Sequence, residues 1–82
     1  MNRRQLLLRI LVRQTNVSFN DMVDLVVGFG FNLDRIRGSH HIFVHPGVRE
    51  IVNLQNVRGQ AKPYQIRQFL SLVEQYDLPL ED

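Results

Sequence analysis

The sequence predicts a two-layer α+β fold in the order α-α-β-β-β-α, with helices packed on a three-stranded antiparallel sheet. Three observations carry that expectation. Apolar residues recur at helical spacing in two separated stretches, Phe19-Met22-Val23-Val26-Val27 and Ile66-Phe69-Leu70-Val73. Between them, the turn pairs Gly38-Ser39 and Pro46-Gly47 divide Phe31 to Leu54 into three strand-length segments. Finally, 82 residues with no cysteine make a single domain, 1–82, whose one small core must be held by Leu, Val, Ile and Phe.

Asn2 is placed to cap a first helix, with Thr15-Asn16 ending it. Gln5, Arg9 and Arg13 form one polar stripe, while Leu6, Leu7, Leu8, Ile10, Leu11 and Val12 fill the rest of the circumference. An apolar arc this wide reads as a helix largely buried in its own domain, or else as a surface for a partner or a second copy. Ser18, with Asp21 three residues on, starts the second helix, and Gly28 and Gly30 end it. The first strand then alternates Phe31, Leu33, Arg35 and Arg37 against Asn32, Asp34 and Ile36. Gly38-Ser39 leads into a second strand, His40 to His45, and Pro46-Gly47 into a third, Arg49 to Leu54. Gln55 to Ala61 has no periodicity and reads as a loop. Pro63 suits the first turn of the last helix, which Asp77-Leu78-Pro79 stops before a short acidic tail.

The composition narrows the chemistry. Without cysteine there are no thiolate zinc sites and no disulfides, and the cytosol is the expected compartment. Arg9 and Arg13 interrupt the N-terminal apolar run too early for a signal core or a membrane span, so neither is expected. Nine of the ten cationic residues are Arg, the planar, permanently charged side chain suited to phosphate, and they are dispersed through folded elements rather than gathered in a tail. Gly28-Phe29-Gly30 ends a helix where a dinucleotide fingerprint must begin one, which disfavours ATP and NAD.

Three histidines lie within six residues, but on a strand His41 and His45 are about 13 Å apart and His40 points to the other face. One ion cannot be reached by all three, so no metal site is expected. Imidazole titrates near neutrality and can donate or accept a proton, which makes His40, beside the Gly38-Ser39 turn, either a proton-transfer group or a structural residue. Arg35, Arg37 and Arg49 lie on strands flanking it, and Lys62 stands at the start of the last helix, where the backbone N–H groups also favour an anion. These four are either a phosphate-binding surface or ordinary solvated charges.

Gly28-Phe29-Gly30-Phe31, the Arg-bearing strand, Gly38-Ser39-His40-His41-Ile42-Phe43, His45-Pro46 and the Pro-led terminal helix together resemble a HicA-family toxin over residues 18–78. The resemblance implies a double-stranded-RNA-binding-like α-β-β-β-α core, ribonuclease activity on mRNA, no cofactor, and a HicB-type antitoxin that blocks the site. By position, His40 then matches the catalytic histidine, Gly38 and Ser39 the turn that presents it, and Phe43 the buried aromatic. Residues 1–16 add a helix that the minimal family fold lacks. Metal-independent cleavage through the substrate's own 2′-OH needs only proton transfer and phosphate stabilisation. His40 is the expected carrier of the proton, at the 2′-oxygen or the leaving 5′-oxygen, with Arg37, Arg35 or Lys62 stabilising the phosphorane-like charge. An RNA-binding module without cleavage is the alternative, and a purely protein-binding domain a third. Strand parity sets His40 opposite Phe43 and leaves Ile42 and Val44 on the His40 side, where the first helix and the antitoxin are candidates to cover them.

Overall fold

Asn2 begins the first helix with a reciprocal pair of bonds: its side chain accepts from the Gln5 N–H at 2.8 Å, and the Gln5 side chain accepts from the Asn2 N–H. The computed structural model describes residues 1–81 and gives the order α1 (Arg3–Val12), α2 (Phe19–Gly28), β1 (Asn32–Arg37), β2 (His40–His45), β3 (Val48–Val57), β4 (Gln60–Ala61) and α3 (Pro63–Gln75). The expected acidic tail ends on Asp82, outside the described residues. Losing the Asn2 cap leaves the Gln5 N–H without its partner, so Asn2→Ala is expected to cost about 1 kcal/mol. A lower urea midpoint at unchanged m-value is the readout.

The sheet is antiparallel with strand order β1-β2-β3-β4, four strands where the sequence predicts three. The segment expected as a loop, Gln55 to Ala61, is instead the end of β3, a turn and β4. Arg58 and Gly59 both have positive φ, 53° and 81°, as a two-residue I′ hairpin turn requires, and the Asn56 side chain accepts from the Gly59 N–H at 2.8 Å. Arg is an uncommon residue at positive φ, which is why the turn left no sequence signal.

The helices cover one face of the sheet. Phe43, Val52 and Leu54 point into that layer and join Phe19, Met22, Leu25, Val26, Phe29, Phe31, Ile66 and Phe69 in one buried cluster. The rings of Phe29 and Phe31 stand edge-on to Phe69 at 5.5 and 5.8 Å. Phe43 is fully buried and His40 only partly so, in line with strand parity.

Two expectations about α1 are corrected. It is not largely buried: Leu6 and Ile10 are buried in the core and Leu7 packs half-buried against it, while Leu8, Leu11 and Val12 are exposed. Nor is it the cover expected for Ile42 and Val44, because α1 packs against α2 in the helical layer, on the other side of the sheet. Arg3 fastens it there through two bonds to the Asp24 carboxylate, at 3.1 and 3.0 Å, and one to the Glu81 carbonyl. Ile42 is buried all the same, between its sheet neighbours Arg35 and Asn53.

The alternation expected along β1 is also broken. The register shifts between Leu33 and Arg35, a bulge that leaves Leu33 paired with Phe43 and Ile36 with His41 on the helix side, while Arg35 and Arg37 oppose Ile42 and His40 on the other. Without that extra residue Leu33 would share the face of the two arginines.

Candidate active site

The β1–β2 turn fixes where the imidazole stands. Gly38 has φ +59° and Ser39 does not have positive φ, the pattern of a II′ hairpin turn with Gly first, and it leaves Arg37 paired directly with His40. A Cβ on Gly38 would meet no atom within 4 Å, so backbone conformation and not crowding selects glycine there. On its other side His40 pairs with Gln55 of β3. Arg37, His40 and Gln55 thus form one row across the open face of the sheet, and Arg35, Ile42 and Asn53 form the next.

Asn53 holds the ring. Its side-chain amide lies 3.1–3.2 Å from His40 Nδ1. With the amide oxygen turned to the ring, Nδ1–H donates and Nε2 keeps a free lone pair; with the amide nitrogen turned to it, Nδ1 accepts and Nε2 carries the proton. Either way the same contact orients the imidazole and leaves Nε2 for another partner. His40 is only partly buried, and its bond to Asn53 engages Nδ1 alone. Sequence reasoning missed Asn53, which lies thirteen residues from His40 and meets it only through the strand register.

The other two histidines face the helices. His41 stands edge-on to Phe19 at 4.7 Å with its Nδ1 buried and unbonded, and His45 stands edge-on to Phe31 at 5.1 Å with Nδ1 accepting from the Gly47 N–H. Among the described residues no three His, Asp or Glu side chains are grouped to hold a metal ion.

The four cations expected to converge do so only in part. Arg37 is across the strand from His40 and exposed. Arg35 is one row further on the same face, paired with the carboxylate of Asp34, which the bulge brings alongside. Lys62 is the N-cap of α3, its ammonium 5.7 Å from the Tyr64 ring centroid. That helix start is tied to the His40 row, because Gln65 Oε1 accepts from the Gln55 N–H at 2.7 Å and Gln65 Nε2 donates to the Tyr64 hydroxyl. Among the described residues Gln65 is the one buried polar side chain, occupying the ladder position that β4 is too short to fill. Arg49 is not in this group. It lies six residues from Gln55 along β3, roughly 19–20 Å at 3.2–3.4 Å per residue.

At that far end the Tyr76 hydroxyl donates to Glu50 Oε1. This bond, with a backbone bond and Arg49 assisting, holds the Glu50 carboxyl below the usual carboxylate range, and it raises the Tyr76 phenol. A carboxyl whose folded value is depressed contributes stability at pH above its unfolded value, and that contribution is lost as pH falls through the lowered folded value. Tyr76→Phe is therefore expected to leave stability less dependent on pH across the acid range, read by urea melts between neutral and acid pH.

Residues 19–75 match the family model described as the HicA toxin of bacterial toxin-antitoxin, a span that begins with α2 and ends with α3. The chain belongs to the HicA toxin family. No curated protein and no solved structure matches it significantly. Membership makes it a toxin of the RNase class, with RNA as its target and an antitoxin as its partner. The α1 helix lies outside the match to the HicA family. Among the described residues no helix is long and apolar enough to cross a membrane.

Proposed function

We propose that this HicA-family chain cleaves mRNA without a metal ion, by proton transfer through His40 on the open face of the sheet. The observation that carries the reading is the row Arg37–His40–Gln55, with Asn53 fixing the ring through Nδ1 and leaving Nε2 for another partner. The reaction is an in-line displacement. The substrate's 2′-oxygen attacks the adjacent phosphorus, the bond to the 5′-oxygen breaks, and the products are a 2′,3′-cyclic phosphate and a free 5′-OH. One proton leaves the 2′-OH and one reaches the 5′-oxygen; His40 handles one of these transfers. Arg37, across the strand, and Arg35, one row on, supply positive charge to the crowded phosphate oxygens. Lys62, at the start of α3, extends the cationic surface along the RNA backbone, as does Arg49 at its far end. Gly38 and Ser39 serve by presenting the imidazole at the end of a tight turn.

The α2-β1-β2-β3-α3 core is read as a double-stranded-RNA-binding-like arrangement adapted to catalysis. A HicB-type antitoxin neutralises it by covering the His40 face, and the protein acts in the cytoplasm, where mRNA is. The test is incubation of the purified chain with end-labelled RNA in EDTA. Cleavage supports the proposal. Retention of intact RNA supports a non-catalytic RNA-binding module, and neither result points to a protein-binding domain.

A further inference from the structure

On one side the sheet ends in β1, whose outer edge has no strand neighbour, and every residue of β1 is exposed. On the helix side, where Phe43, Val52 and Leu54 are buried, Leu33 and Ile36 remain 50% and 54% exposed. The bulge places these two on that side together, and sets Asp34 alongside Arg35 on the open side with Arg37. An open strand edge is a template for another strand.

We propose that β1 pairs antiparallel with β1 of a second copy of this chain, about a two-fold axis between Asp34 and Arg35, joining two four-stranded sheets into one. In that register the strand is its own complement. Leu33 meets Ile36 of the second copy, Asp34 meets its Arg35 and Asn32 meets its Arg37, and the two-fold axis makes each contact twice. The apolar pair lies on the helix side and the charged pair on the open side, so each contact joins like with like in polarity and opposite in charge. A slip of one residue in either direction sets Arg35 against Arg35 or Asp34 against Asp34. Both slips also put Leu33 opposite an arginine.

The bulge favours a copy of this strand over any other. Charges and bulges ordinarily guard an edge, because a regular strand laid on β1 would meet both Asp34 and Arg35 where it offers one residue. An antiparallel copy carries the same extra residue at the same central place, so the run from Leu33 to Ile36 is equally long on both strands. The axis stands perpendicular to the sheet and the two open faces lie side by side. Arg35 and Arg37 of both copies then line the seam between two His40 sites. The pairing itself does not depend on the RNA-cleaving reading.

A six-residue edge makes an interface at the weak, transient end of the range, so association is read against concentration. Small-angle X-ray scattering should show the wild-type chain passing from monomer to dimer between micromolar and millimolar concentration. Asp34→Lys and Arg35→Asp each set like charges across the seam and should stay monomeric, while an equimolar mixture of the two restores opposite charges and should dimerise. The chain has no cysteine, so introduced thiols report the register. Leu33→Cys mixed with Ile36→Cys should give a disulfide-linked heterodimer under mild oxidation. Either variant alone should not, since the same position on two copies lies about 10 Å apart, beyond the reach of a disulfide. A wild-type chain that stays monomeric to millimolar concentration, a charge-swapped mixture that does not dimerise, or Leu33→Cys linking to itself as readily as to Ile36→Cys overturns the pairing. None of these readouts involves RNA, so their failure is distinct from a failure of the cleavage reading.

Discussion

His40→Ala is expected to lower RNA cleavage by about 10²–10⁴-fold, the range for losing a positioned proton-transfer group. The variant should remain folded, because the ring lies on the open face of the sheet and contributes nothing to the buried cluster. Matching far-UV dichroism and urea midpoints for variant and wild type would establish that. Asn53→Ala should give a smaller loss: the imidazole remains, but its Nδ1 partner, and with it the ring's fixed orientation, is gone. Arg37→Ala tests the charge next to it, and a loss of about 10²-fold or more is the expectation for a donor aimed at a developing oxyanion. A folded His40→Ala protein that cuts RNA at the wild-type rate removes the imidazole from the mechanism.

Phe69→Ala is expected to unfold the protein. The side chain is fully buried, stands edge-on to Phe29 and Phe31, and joins α3 to the end of α2 and the start of the sheet. Truncating a buried Phe costs about 3–5 kcal/mol. An 82-residue chain has a total stability of about 4–12 kcal/mol at 0.05–0.15 kcal/mol per residue. The loss is thus comparable to the lower half of what is available, and thermal melts should show a collapsed or absent transition. Gln75→Ala, on an exposed residue of the same helix, is the control, with an expected change within about 0.5 kcal/mol. If Phe69→Ala melts like wild type, the packing described for α3 is wrong.

Helices α2 and α3 were legible because their burial follows a period that the apolar residues repeat: Phe19, Met22 and Val26 on one, Ile66 and Phe69 on the other. The first helix was misread for a related reason. Periodicity counts apolar side chains but does not say what is there to cover them, and only Leu6, Ile10 and, in part, Leu7 are covered. The two turns carrying glycine in familiar contexts delimit β1 and β2 almost to their ends and β3 as far as Leu54, three residues short of its end at Val57. The Arg58-Gly59 turn did not, since its positive-φ Arg is stabilised by Asn56 and not advertised by an Asn-Gly or Asp-Gly pair.

At the site, His40 and Arg37 could be placed together because a two-residue turn forces them to pair. Arg49 could have been set apart on the same logic. A six-residue strand followed by another tight turn puts the start of β3 beside His45, not beside His40. Asn53 and the bulge at Leu33–Arg35 were beyond sequence reasoning, because both depend on register, and a shift of one residue moves every side chain to the opposite face.

The central claim is that the substrate's own 2′-oxygen is the nucleophile and an imidazole on the open sheet face moves the proton. Product end groups test it most directly. RNA cut by the wild-type chain in EDTA is expected to carry 2′,3′-cyclic phosphates and 5′-hydroxyls, and RNA methylated at every 2′-oxygen is expected to stay whole. Fragments ending in 5′-phosphate, or scission of the methylated RNA at an undiminished rate, would contradict the account.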